Sequence, residues 1–152
     1  MGTVHVRAHG AVPPDVLAAA LTDFGPGRSQ VFGAIDPGRL HVHDRGDGWA
    51  DVTEGSRTGG VWQRSRYDWS TPGEVRLEVS DSNAFGPGSR WTYLLDPAAD
   101  GGTDVTLRIV RVPCSARGRL LDLVLRVGGR AFFARDLRRT LRALESRLSP
   151  AP

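Results

Sequence analysis

Lysine is absent from the 152 residues; all 20 basic side chains are arginine. Together with abundant glycine, alanine, proline, aspartate and valine, this bias is the mark of a GC-rich genome rather than of a selected polyanion site. The net charge is only +3, and no nucleic-acid motif accompanies the arginines, so no nucleic-acid partner is expected. The single cysteine, Cys114, rules out an internal disulfide. At a strand-to-helix junction it reads as a small junction residue rather than a nucleophile. No apolar run approaches the roughly 18 residues of a membrane span. The stretch from Met1 to Val6 alternates like a strand and lacks a signal-peptide core. The expectations are therefore no integral membrane association and a cytoplasmic location. Nucleotide-binding glycine loops, phosphate loops and a Ser-His-Asp order are also missing. Gly25-Pro26-Gly27 and Gly86-Pro87-Gly88 are turns, because proline removes an amide donor that phosphate binding uses, and no cofactor is expected. His41 and His43 share one strand face, as His5 and His9 share another. Neither pair has a third ligand in sight, so no metal is expected.

What is present is a soluble-type composition, 39% hydrophobic and 24% charged, in a length that suits one domain spanning residues 1–152. Thr3 to His9 alternates as a first strand. Pro13-Pro14 opens a short helix, Asp15 to Leu21, where a missing N–H costs nothing, and Arg28 to Phe32 forms one more helical turn. From Arg39 the pattern changes to short strands at Leu40–Asp44, Trp49–Glu54, Val61–Trp69, Val75–Asp81, Ser89–Leu95 and Val105–Val112, separated by tight glycine, proline and aspartate turns. Regular spacing without intervening helices implies antiparallel hairpins and excludes a parallel βαβ arrangement. The chain then ends in a long helix, Ser115 to Leu148. Ser115 is its N-cap and Pro150 its stop. Leu120, Val124, Val127, Ala131, Ala134, Leu137, Leu141, Leu144 and Leu148 form its apolar stripe, and Gly128–Gly129 marks a bend or break. The small residues at mid-helix leave space for a strand or a ligand.

The order strand, two short helices, six strands, long helix resembles the helix-grip fold of the START-like (SRPBCC) superfamily. That fold is α+β: a seven-stranded curved antiparallel sheet wraps a long C-terminal helix. Asp51-Val52-Thr53-Glu54-Gly55, Arg66-Tyr67-Asp68-Trp69 and Asp81-Ser82-Asn83 before a Gly-Pro-Gly turn are similar to stretches of small actinobacterial proteins grouped with polyketide cyclases and lipid carriers. The resemblance implies a mostly apolar cavity between sheet and helix that holds a hydrophobic small molecule. In aromatase/cyclases of the superfamily a strand brings Trp, Ser and Arg into that cavity, and Trp62, Ser65 and Arg66 resemble that cluster. Ser65 and Arg66 are adjacent, however, so a regular strand points them to opposite faces.

The candidate ligand-binding residues follow. Glu54 shares the face of Val52 and points inward. Asp81 continues the Val75, Leu77, Val79 face as a buried acid, although Asp-Ser-Asn before Gly-Pro-Gly is also ordinary turn chemistry. Asn83 stands beside it. Trp62, Ser65, Arg66 and Tyr67 lie on a strand whose two faces both carry rings and polar groups, so parity does not choose the inner one. Trp91, Tyr93 and, from the helix, Val127, Ala131 and Phe132 complete the set; each ring also suits an ordinary core. The first expectation is a carrier or binding protein for a lipid or polyketide-like molecule. The second is a cyclase, aromatase or dehydratase acting in the same cavity. The third is an interaction module using the arginine-rich helix, and a homodimer stays open.

Overall fold

In a computed structural model, which describes residues 1–149, nine of the ten elements overlap the segments expected from the sequence, although the strand expected at Leu40–Asp44 runs from Ile35 to Gly46. They are β1 (Gly2–Gly10), α1 (Pro14–Leu21), α2 (Arg28–Val31), β2 (Ile35–Gly46), β3 (Trp49–Ser56), β4 (Trp62–Asp68), β5 (Glu74–Ser82), β6 (Arg90–Pro97) and β7 (Thr103–Arg111). The tenth, α3 (Ala116–Leu148), has the expected extent but a different rotation. The expected stop at Pro150 lies outside the described residues.

The strands form one seven-stranded antiparallel sheet in the order β1-β7-β6-β5-β4-β3-β2. β2 to β7 run as a meander, and β1 closes beside β7, with Val6 opposite Leu107. On β5, Val75, Leu77 and Val79 are buried while Arg76, Glu78 and Ser80 are exposed. β7 buries Val105, Leu107 and Ile109 in the same way. This is the α+β helix-grip arrangement, with Leu17, Leu21 and Val31 of the short helices and Leu137, Leu141 and Leu144 of α3 joining the inner face of the sheet.

α3 corrects two expectations. It is one continuous helix, with no break at Gly128–Gly129. The expected stripe faces the core only at Ala134, Leu137, Leu141 and Leu144; Leu120, Val124, Ala131 and Leu148 are exposed and Val127 is 92% exposed. The buried side of the N-terminal half is made by Gly118, Asp122 and Gly129. At Gly118 a side chain would collide with the carbonyl of Ala84, so the helix backbone rests directly on the chain after β5. Four residues on, Asp122 pairs with buried Arg111 at 3.1 Å. A helix docked by close backbone approach and an ion pair does not show its buried side as hydrophobicity. The N-cap is as expected: Ser115 Oγ accepts from Gly118 N at 3.0 Å and donates to Asn83 O at 2.8 Å.

Candidate functional site

A cavity of about 230 Å³ lies between the inner sheet face, the α1–α2 corner and the middle of α3. Leu21, Phe32, Leu77, Trp91 and Trp62 give it apolar walls, and Arg28, Glu54, Tyr67, Tyr93 and Asp136 supply its polar groups. A smaller void of about 80 Å³ adjoins it through Phe32, Trp91, Tyr93 and Asp136, and reaches Leu137 and Thr140 on α3.

One corner is a preassembled polar network. Arg28 begins α2, where the Gly25-Pro26-Gly27 turn aims its side chain inward. Its Nε donates to Glu54 Oε1 at 2.6 Å, and its Nη2 donates to the Tyr67 hydroxyl at 3.1 Å. That hydroxyl in turn donates to Glu54 Oε2 at 2.8 Å. Arg28 Nη1 donates to the carbonyls of Leu21 (3.0 Å) and Asp23 (2.9 Å). The rings of Phe24 and Phe32 each stand 4.6 Å from the guanidinium carbon, a cation–π seat. Both partners of the ion pair are withdrawn from water, with side chains 3% (Arg28) and 12% (Glu54) exposed. Burial opposes the arginine's charge, but Tyr67 and Glu54 outweigh it and hold its pKa above the ordinary guanidinium value. Burial, reinforced by the Glu54 charge, pushes the Tyr67 phenol well up. Tyr67 is therefore a neutral donor, and the three groups satisfy one another.

The second polar element is less satisfied. Asp136 projects from α3 into the cavity, and among the described residues no hydrogen bond or ion pair joins it to another side chain. Burial raises its pKa above the ordinary value of 3.8, with Arg139 only partly opposing the shift. Burial, with the Asp136 charge next in weight, also raises the phenol of Tyr93 on β6. An acid whose folded pKa lies above its unfolded value favours folding while both states are protonated. That contribution is lost as the pH rises from about 3.8 through the folded pKa. Asp136→Asn is accordingly expected to raise the melting temperature at pH 7, with the gain vanishing below the unfolded carboxylate range. Thermal unfolding at several pH values checks this, and an equal gain at all pH values would contradict it.

The structure brings together five of the twelve residues singled out from the sequence: Glu54, Trp62, Tyr67, Trp91 and Tyr93 all line the cavity. Glu54 points inward, as the face of Val52 suggested. The other seven lie elsewhere. Ser65 faces the interior of the sheet and is buried, but its Oγ has no partner among the described residues and does not reach the cavity. Arg66 points outward and stacks on Trp49 at 4.2 Å, so β4 turns its Ser65–Tyr67 side inward. Asp81 is exposed, because the pairing of β4 and β5 shifts between Arg64 and Ser65 and breaks the alternation at Ser80. Asn83 is a structural residue: its side chain accepts from Trp62 N and donates to Gly60 O. Val127, Ala131 and Phe132 face away from the core with the rotated half of α3. The two residues missed from the sequence are Arg28 and Asp136. Arg28 had a signal in the phenylalanines four residues to either side of it. Asp136 stands three residues after Phe133 and four before Thr140, on the buried side of an otherwise arginine-rich helix. His41 and His43 are both exposed, and no group of metal-ligating side chains is found among the described residues.

No family model matches the sequence, and neither does any curated protein. Solved structures do match over nearly the full chain. The Zhui aromatase/cyclase from Streptomyces sp. R1128 superposes with a TM-score of 0.79 at 16% identity, over 97% of this chain and 96% of its own. A protein from Thermus thermophilus gives 0.73 at 16% identity, over 96% of each chain. A START superfamily protein from Mycobacterium smegmatis gives 0.71 at 13%, over 95% of each. At such identities the likeness is one of fold, and the fold is START-like.

Proposed function

We propose that this chain binds a hydrophobic small molecule, a lipid or a polyketide-like compound, in the cavity between sheet and α3. The observation that carries the reading is an apolar hollow with one finished polar corner and one unfinished one. Ligand sites pair apolar walls with a few fixed polar groups. The main cavity and its neighbour together approach the lower end of the usual range, about 300–1,000 Å³, which suits a compact ring system or the end of a chain. Arg28, Glu54 and Tyr67 already satisfy one another and hold the wall rigid. Asp136 and Tyr93 are the groups with capacity left to meet a carbonyl or hydroxyl of the guest.

Native mass spectrometry of the purified protein is expected to show one equivalent of a small organic molecule, or uptake of one when hydrophobic candidates are offered. Ala34→Trp, at the exposed rim of the cavity, is expected to reduce that uptake at least tenfold without unfolding the protein. Ala131→Trp, on the outer side of α3, leaves it unchanged. If both variants behave alike, the cavity is not the binding site.

A second reading is an enzyme that folds or dehydrates a polyketide chain, in line with the aromatase/cyclase that shares the fold. It is favoured by Asp136, a carboxyl shifted toward its neutral form and poised beside Tyr93. An acid so tuned can protonate a departing or enolising oxygen. Under this reading Asp136→Asn retains uptake and loses turnover; under the carrier reading it retains both uptake and release.

A further inference from the structure

Two features of α3 have no part in the cavity. The first is the outer face of its N-terminal half. Leu120, Leu123, Val124 and Val127 recur at i, i+3, i+4 and i+7 and so share one side of the helix. They are 64%, 62%, 59% and 92% exposed, an unusual outlay of apolar surface for a helix whose other side docks through Gly118, Asp122 and Gly129. The second is a groove of about 740 Å³ between α3 and the edge strand β1. Arg7, Arg126, Arg130, Arg138 and the buried Arg111 line it, and among the described residues no carboxylate does. Arg111 is 1% exposed, and its Nη1 has no hydrogen-bond partner among the described residues. Asp122 pairs with Arg111 and Arg126, leaving Arg7, Arg130 and Arg138 without an ion pair among the described residues. Leu125 and Val127 also line the groove, so cationic and apolar surfaces are continuous.

The partner must meet both surfaces. A second copy of the chain, paired about a two-fold axis on this face, would set arginines against the same arginines. A nucleic acid could fill the groove but offers nothing to the leucines and valines. An anionic bilayer offers phosphates, which guanidinium groups bind in fork geometry, beside an acyl boundary that takes exposed apolar side chains. No helix among the described residues is long and apolar enough to cross a membrane, so the attachment is peripheral. We propose that the outer N-terminal face of α3 and the adjoining arginine groove dock this protein onto an anionic phospholipid bilayer. The docking is independent of what the cavity holds.

The test is flotation of the full chain with vesicles of phosphatidylcholine alone or mixed equally with phosphatidylserine. The protein is expected to float with the mixed vesicles, to remain behind with phosphatidylcholine, and to be released by salt. Arg130→Gln and Arg138→Gln should each weaken binding about fivefold. Val127→Asp should abolish it while leaving circular dichroism and thermal unfolding unchanged, since the side chain is 92% exposed. Equal flotation with both vesicle types, or undiminished binding by Val127→Asp, overturns the proposal. So does failure to float, whether the protein instead forms a dimer that Val127→Asp dissociates, is retained by nucleic acid, or does neither.

Discussion

Replacing Asp122 by leucine is expected to cost about 3–5 kcal/mol of stability, the loss typical of breaking a buried ion pair from one side. The pair joins α3 to the end of β7, with side chains 1% (Arg111) and 4% (Asp122) exposed. The Asp122 carboxylate also accepts from Arg126 Nε at 3.1 Å, so one anion serves two guanidiniums. Arg111 has few alternatives. Its Nη1 already lacks a hydrogen-bond partner among the described residues, and the Phe133 ring centre is 6.0 Å away. Against a usual total stability of about 5–15 kcal/mol, the substitution brings the fold close to its limit. Urea denaturation followed by circular dichroism measures the loss. The double variant Arg111→Met with Asp122→Leu should recover most of it, because an apolar pair of similar volume leaves no stranded charge. A single-variant loss below about 1 kcal/mol would mean that water reaches Arg111.

Arg28→Leu is expected to be the second most damaging change, at about 3 kcal/mol, and the two partners of its ion pair should be unequal. Removing Arg28 leaves the Glu54 carboxylate, 12% exposed, with the Tyr67 hydroxyl as its remaining side-chain donor. Removing Glu54 leaves Arg28 with two carbonyl acceptors, the Tyr67 hydroxyl and the faces of Phe24 and Phe32. Cation–π contacts at desolvated sites are worth about 2 kcal/mol, so the arginine tolerates the loss better than the carboxylate does. Denaturation of Arg28→Leu and Glu54→Leu side by side decides the point, and equal losses would show that the rings do not hold the cation. Glu54→Leu should also stay folded enough for ligand uptake to be measured, which separates a structural role of the network from a binding one.

How legible the molecule was differs by element. β5 and β7 could be read directly, because alternation with period two is a property of neighbouring residues in one extended strand. The Ser115 cap was equally local, resting on one side chain and the first turn of α3. β4 was ambiguous because both its faces carry rings and polar groups; only its neighbours in the sheet turned Ser65 and Tyr67 inward. Asp81 was misplaced because a single extra residue at Ser80 reverses parity, and such a shift exists only in the pairing of two strands.

Composition and local periodicity alone were enough to determine the element order, the antiparallel meander and the long terminal helix, and that order carried the resemblance to the START-like, helix-grip class. The rotation of α3, the reach of Arg28 across 26 residues to Glu54, and the entry of Asp136 into the cavity were decided by tertiary structure. The reason is physical. An element's period is set by its own backbone geometry, whereas the side it buries is set by what it meets. Here α3 meets the Ala84 carbonyl and the Arg111 guanidinium, contacts that no hydrophobic pattern within the helix encodes.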